Sequence, residues 1–297
     1  MGDAPQDAKP KVQPARVYAP PSFGAKVQYM IRPLNDAMIL AAGRGARMRP
    51  VTDNCPKPLL RVHGKPLMQW PLEALARAGI DRVLVNTDWL GQQISDHFGD
   101  NFVPALPQRQ DRTRTTKAVQ IRYSREGQDF GHALETAGGI VRVLPELHDV
   151  FWVLAGDVYA PDFVFSGAAM QRFAASGKLA HVWLVPNPEH HPCGDFGLAP
   201  VAADAWGPVY RALASATQQL TFSTIALYRK ALFAAPYCDI PPGNPQGRAA
   251  RLAPILRAAM DDVQVTAEIY TGTWADVGTP ERLAWLNQTP DSRDPRN

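Results

Sequence analysis

The chain has 297 residues, 45% of them hydrophobic, and a formal net charge of +3, enough to bury a full core as one large α/β domain or two small ones. Nearly balanced charge, with basic residues scattered rather than gathered on one periodic face, argues against a nucleic-acid partner, and no apolar run approaches the ~20 residues of a membrane span. Three widely spaced cysteines, Cys55, Cys193 and Cys238, without a C-x-x-C pair, fit a reducing cytoplasm and argue against disulfides or a thiolate zinc site.

Residues 1–35 are rich in Pro, Ala, Lys and Gln and poor in large apolar groups. Such a segment cannot bury enough surface to offset its ordering entropy, so a disordered extension is expected there. Its prolines, Pro10, Pro14, Pro20 and Pro21, also interrupt any signal core. From Ala37 the pattern alternates. A strand over Ala37–Ala41 is followed by a helix near Leu67–Ala78 ended by Gly79, a strand over Arg82–Asn86 and a helix near Leu90–Phe98. A polar, aperiodic stretch over 102–118 reads as a loop insertion. Then come a strand over Val119–Tyr123, a helix over Leu134–Leu144, and apolar strands over Phe151–Leu154 and His181–Val185. Four prolines make 236–246 irregular, and a last helix near Pro280–Leu286 precedes a tail at 291–297. Strands separated by helices of this length imply βαβ units. The expected fold is α/β: one Rossmann-like domain over 36–290, with a mostly parallel mixed sheet flanked by helices.

The segment AMILAAGRGARMRPVTDNCPKPLL, Ala37–Leu60, carries the most information. A buried strand hands over to a turn in which Gly43 and Gly45 let backbone N–H groups approach a ligand. Arg44, Arg47 and Arg49 add positive charge, and Pro56-Lys57-Pro58 follows. Glycines after a strand often serve a tight turn only, so the pair alone leaves both readings open. No Gly-Lys-Ser/Thr makes a Walker loop and the G-x-G-x-x-G spacing is absent, so a nicotinamide cofactor is not expected. The whole segment, L-A-A-G-x-G-x-R-M-x-P at Leu40–Pro50 with P-K-P at Pro56–Pro58, resembles the signature of the sugar-phosphate nucleotidyltransferases.

That resemblance implies a nucleotide site at Leu40, Ala41, Ala42, Gly43, Gly45, Arg47 and Lys57. Arg47 would neutralise the leaving pyrophosphate, and Lys57 would sit on the α-phosphate and the attacking phosphate. Asp157, just past the strand Phe151–Leu154, lies where open α/β sheets bind ligands, although an Asx turn explains a Gly-Asp equally well. Asp276, in W-x-D-V-G-T-P-E-R-L, precedes a good helix cap at Thr279-Pro280. By resemblance Asp157 and Asp276 are the two magnesium ligands, and hard carboxylate oxygens suit that ion. Glu126, Glu135 and Thr136 occupy the region that reads the pyrimidine in the family, with helix packing at Gly138 and Gly139 as the alternative.

The loop Asn187–Phe196 contains adjacent histidines but no third ligand at usable spacing for a metal. It is expected to line a sugar pocket through Asn187, His190, Gly194 and Asp195. N-P-x-H-H-x-x-G-D-F, together with W-L-G-Q-Q-I at Trp89–Ile94, is similar to the subfamily of uridylyltransferases acting on N-acetylmuramate 1-phosphate. The implied reaction partners are UTP and a sugar 1-phosphate, with Mg2+ as cofactor. The alternatives are another sugar 1-phosphate nucleotidyltransferase, such as a mannose-1-phosphate guanylyltransferase or glucose-1-phosphate thymidylyltransferase, and a non-catalytic sugar-nucleotide sensor. Oligomeric state is left open.

Overall fold

A computed structural model describes residues 36–104, 117–200 and 209–289. The extension expected over 1–35, most of the 102–118 insertion and the 291–297 tail lie outside the described residues. In chain order the elements are β1 (Asp36–Leu40), β2 (Arg61–Val62), β3 (Lys65–Pro66), α1 (Gln69–Arg77), β4 (Arg82–Thr87), α2 (Gly91–Phe98), β5 (Asn101–Phe102), β6 (Val119–Arg125), α3 (Glu126–Phe130), α4 (Glu135–Val143), β7 (Val150–Ala155), β8 (Val158–Tyr159), α5 (Gly167–Ser176), β9 (Ala180–Val185), β10 (Gly197–Pro200), β11 (Tyr210–Leu213), β12 (Thr221–Arg229), α6 (Leu252–Asp261), β13 (Val265–Ile269), β14 (Ala275–Asp276) and α7 (Pro280–Gln288).

Ten strands form one sheet in the order β10-β11-β13-β9-β12-β7-β1-β4-β6-β5. The neighbours β7, β1, β4 and β6 are parallel, as are β9 and β13. Only β5, β11 and β12 run against the common direction. The central strands read as unbroken apolar runs because both faces of the sheet are covered. Side chains alternate between those faces. Met38, Phe151 and Val153 face a core closed by α4 and α6, whereas Ala37, Ile39, Trp152 and Leu154 face one closed by α1, α2 and α5. On the second face Trp152 stacks on Trp183 with ring centroids 5.0 Å apart.

A third, smaller core joins segments far apart in sequence. Met48 from the arginine-rich turn, Leu60, Leu67 and Trp70, Tyr159 of β8, Val277 and Leu286 of α7 pack together. This cluster docks the C-terminal motif beneath the loop that follows β1. The chain ends of β1, β4, β6 and β7 all reach the same sheet edge, where the candidate site lies.

Candidate active site

The site is built on a hydrogen-bonded floor. Asn86, in the last turn of β4, accepts from Ala41 N at 2.9 Å and donates to Glu126 Oε1 at 2.8 Å. Glu126 Oε2 accepts from Leu134 N at 2.7 Å, so one carboxylate ties the loop after β1 to the start of α4. Glu126, expected in the region that reads the base, is fully buried and does not line the cavity above it. Burial pushes its carboxyl above the usual range, against the pull of the two donated bonds. The glycines of α4 serve this packing. A Cβ on Gly139 would stand 2.6 Å from Glu126 Oε1 and 2.9 Å from Asn86 Nδ2, and one on Gly138 2.5 Å from Arg248 O.

Over this floor opens a cavity of about 660 Å³. Of the sequence-selected residues, Leu40, Ala41, Ala42, Gly43, Lys57, Glu135, Thr136, Asp157 and Asp195 line it. Gly43 would meet nothing within 4 Å if it carried a Cβ, so its missing side chain leaves room for a ligand rather than for protein. Gly45 does a different job. At φ 64° it caps the short helical turn Ala46–Met48, and its carbonyl accepts from Thr52 Oγ1 at 2.8 Å.

Two of the three loop arginines are engaged. Arg44 lies 4.7 Å from the Trp89 ring centroid, and Arg49 pairs with Asp53 at 3.1 Å. Arg47 is exposed at the cavity's rim loop, without a carboxylate partner among the described residues. Trp89, in the W-L-G-Q-Q-I run, braces the loop by donating to Thr52 O at 2.9 Å.

The two acids selected from sequence meet through backbone pairing. β14 pairs antiparallel with β8, matching Asp276 to Val158, and Val277 N donates to Asp157 O at 3.2 Å. Asp157 Oδ2 is paired with Lys57, which is almost fully buried. Asp276 Oδ1 is paired with Arg282 and lies 2.9 Å from His190 Nε2. Thr279 caps α7 through Arg282 N at 3.4 Å, with Pro280 in the first turn; the cap and the acidic role therefore coexist. Asp157 Oδ1 and Asp276 Oδ2 have no protein hydrogen bond among the described residues, so each acid keeps one hard oxygen for a ligand.

The loop expected to hold the sugar is largely spent on itself. Asn187 donates to Pro192 O at 3.0 Å and Gln219 O at 2.9 Å, and accepts from Thr221 Oγ1 at 2.8 Å. Gly194, at φ 67°, presses against the Gln219 backbone, and its N–H goes to His191 O at 3.3 Å. His190 joins Asp276 rather than the cavity. Asn187 and Gly194 therefore shape the loop, and only Asp195 of the expected sugar residues reaches the cavity wall, with Phe222 N donating to it at 2.8 Å. Sequence reasoning missed the opposite wall: Phe222, Thr224 and Tyr228 of β12, and Arg251, Leu252, Leu256 and Arg257 at α6. A helix of amphipathic period was readable there, but nothing in the sequence says which of its polar residues borders a cavity.

A family model described as "Nucleotidyl transferase" matches residues 36–207, more than half of the chain. The chain belongs to the nucleotidyltransferase family. An N-acetylmuramate alpha-1-phosphate uridylyltransferase of Neisseria meningitidis serogroup B is 41% identical over 249 residues, 83% of this chain and 94% of that protein. One from Caulobacter vibrioides is 32% identical over 142 residues, 47% of this chain and 52% of that protein. A solved Bacillus anthracis structure, described as a candidate glucose-1-phosphate thymidylyltransferase in complex with sucrose, aligns with TM-score 0.62 at 18% identity, covering 85% of this chain and 94% of that one. That last likeness is one of fold. For a nucleotidyltransferase the arrangement is chemically apt: glycine-opened backbone, a buried lysine and Asp157 line one cavity, and backbone pairing brings the Asp276 segment alongside Asp157. No helix among the described residues is long and apolar enough to cross a membrane.

Proposed function

We propose that this nucleotidyltransferase transfers a uridylyl group from UTP to N-acetylmuramate 1-phosphate, giving UDP-N-acetylmuramic acid and pyrophosphate. The observation that carries the reading is the 41% identity to a uridylyltransferase of that specificity across nearly the whole of both chains. The cavity at the loop after β1, large enough for both substrates' reacting ends, supports it. Such a reaction would return a cell-wall sugar to an activated form in the cytoplasm.

An oxygen of the sugar phosphate attacks the α-phosphorus in line, and the bond from that phosphorus to the bridging oxygen of the β-phosphate breaks. No enzyme nucleophile is required, because positioning and charge neutralisation carry most of such catalysis. Lys57, held on the cavity wall by Asp157, is the cation for the α- and attacking phosphates. Arg47, free of carboxylates, is the cation for the leaving pyrophosphate. Asp157 and Asp276 fit magnesium through their remaining hard oxygens; when bound, the ion supplies charge neutralisation and a common anchor for the phosphates.

These roles separate kinetically. Lys57→Ala should lower kcat/KM by more than it weakens UTP binding measured without sugar, as expected for a group acting chiefly in the transition state. Arg47→Ala should weaken UTP and pyrophosphate binding too. A panel of four nucleoside triphosphates against N-acetylmuramate, glucose and mannose 1-phosphates, read by pyrophosphate release, tests the whole reading. UTP with N-acetylmuramate 1-phosphate should be fastest. Faster turnover of another pair would reassign the specificity, and binding without product would point to a sensor.

A further inference from the structure

We infer that Arg257 of α6 is the counter-ion that selects a sugar 1-phosphate bearing a carboxylate. The inference rests on the N-acetylmuramate reading above and names how that substrate is told from its relatives. N-acetylmuramate differs from N-acetylglucosamine by a 3-O-lactyl ether that ends in a carboxylate. A site that prefers it needs a donor for that anion and apolar room for the lactyl methyl.

The loop Asn187–Phe196 cannot supply the donor from its own amides. Both Asn187 amide hydrogens and the Gly194 N–H are committed within the loop and to Gln219, and His190 and His191 face Asp276 and Asp195. Arg257 is placed otherwise. It lines the cavity on the same helix face as Leu252, Ala253 and Leu256. Its guanidinium stands 5.8 Å from the ring centroid of Phe196, a geometry that orients the fork without neutralising it. Among the described residues it has no carboxylate partner, whereas Arg229 and Arg248 are paired with Asp149 and Asp239. Arg251 also lines the cavity, but it precedes α6 and no aromatic ring among the described residues orients it as Phe196 orients Arg257.

Thr224 is an independent pointer to the same wall. It is a β-branched residue at φ 64°, where the register between β12 and β9 shifts. Its Oγ1 is buried without a partner among the described residues, while the residue itself contributes to the cavity wall. Strained backbone of this kind is retained most readily beside a functional site. Phe222, beside it, offers the apolar surface.

The test compares kcat/KM for N-acetylmuramate 1-phosphate and N-acetylglucosamine 1-phosphate, with UTP saturating, in wild type, Arg257→Ala and Arg257→Lys. Wild type should favour the lactyl sugar roughly tenfold or more. Arg257→Ala should cut that ratio about tenfold, and Arg257→Lys should restore part of it by keeping the charge without the fork. If Arg257→Ala keeps the wild-type ratio, or lowers both substrates alike, the assignment of Arg257 is wrong and the uridylyltransferase reading stands. If wild type fails to turn over N-acetylmuramate 1-phosphate while using another sugar, that reading falls and the inference with it.

Discussion

Asp157→Ala and Asp276→Ala are each expected to reduce kcat by roughly 10²-fold or more, the scale on which removal of one charge-stabilising group acts in a preorganised site. The expectation comes from convergence. The two acids are 119 positions apart in sequence, yet the β8–β14 pairing sets Asp276 opposite Val158, the residue after Asp157, and each leaves one carboxylate oxygen without a protein donor among the described residues. A structural role makes a different forecast. If Asp276 served only to hold Arg282 and α7, its loss would lower the melting temperature and spare kcat. If Asp157 served only to neutralise Lys57, then Lys57→Met/Asp157→Ala would recover the melting temperature that the single change loses, since an uncompensated, nearly buried ammonium is the costly state. Pyrophosphate release at saturating magnesium, beside thermal melts, separates these outcomes. Near-wild-type turnover in either alanine variant would remove that acid from the metal clamp.

The parts of the fold that were readable are those where one physical signal dominates. β1, β4 and β7 are central strands covered on both faces and read as apolar runs, whereas β6 alternates buried and exposed residues; both patterns locate these strands to within about two residues. The cap at Thr279-Pro280 and the break at Gly79 follow from local backbone chemistry. The second half of the sheet was less legible. β10, β11 and β13 are four or five residues long, and β12 carries its irregularity at Thr224, a residue type that signals extended strand. Within the site, Gly43, Lys57, Asp157 and Asp195 line the cavity. Residues that act through another are harder to read: Asn187 looks like a ligand donor and closes its own loop, and Asn86, at the polar end of a buried strand, was not singled out although that position is its signal. Whether an exposed arginine on an amphipathic helix borders a cavity depends on tertiary packing, which is why Arg257 stayed hidden.

Glu126→Ala should produce the largest loss of stability among the site variants. Its carboxylate accepts from Asn86 Nδ2 and Leu134 N within a fully buried network, so alanine leaves two buried donors unsatisfied at about 1–3 kcal/mol each. In a domain of this size that corresponds to a fall in melting temperature of roughly 5 °C or more. Function should follow, because Asn86 then loses the partner that aims its Oδ1 at Ala41 N, and the UTP KM should rise. Gly139→Ala attacks the same network from the other side, since its Cβ would stand 2.6 Å from Glu126 Oε1; a loss of stability with a raised UTP KM is expected there as well. Glu126→Gln removes the titration and turns one of the two acceptors into a donor. Burial raises the Glu126 pKa above the ordinary carboxyl value, so the native state holds a proton more readily than the unfolded chain. The stability arising from that shift is fully present below about 4.5, the unfolded value, and is lost as pH rises through the native value. The stability difference between wild type and Glu126→Gln should therefore shrink with rising pH across that window, measured by denaturant unfolding at a series of pH values. A difference that grows instead would mean that the two donated hydrogen bonds outweigh desolvation and hold the carboxyl below its ordinary value.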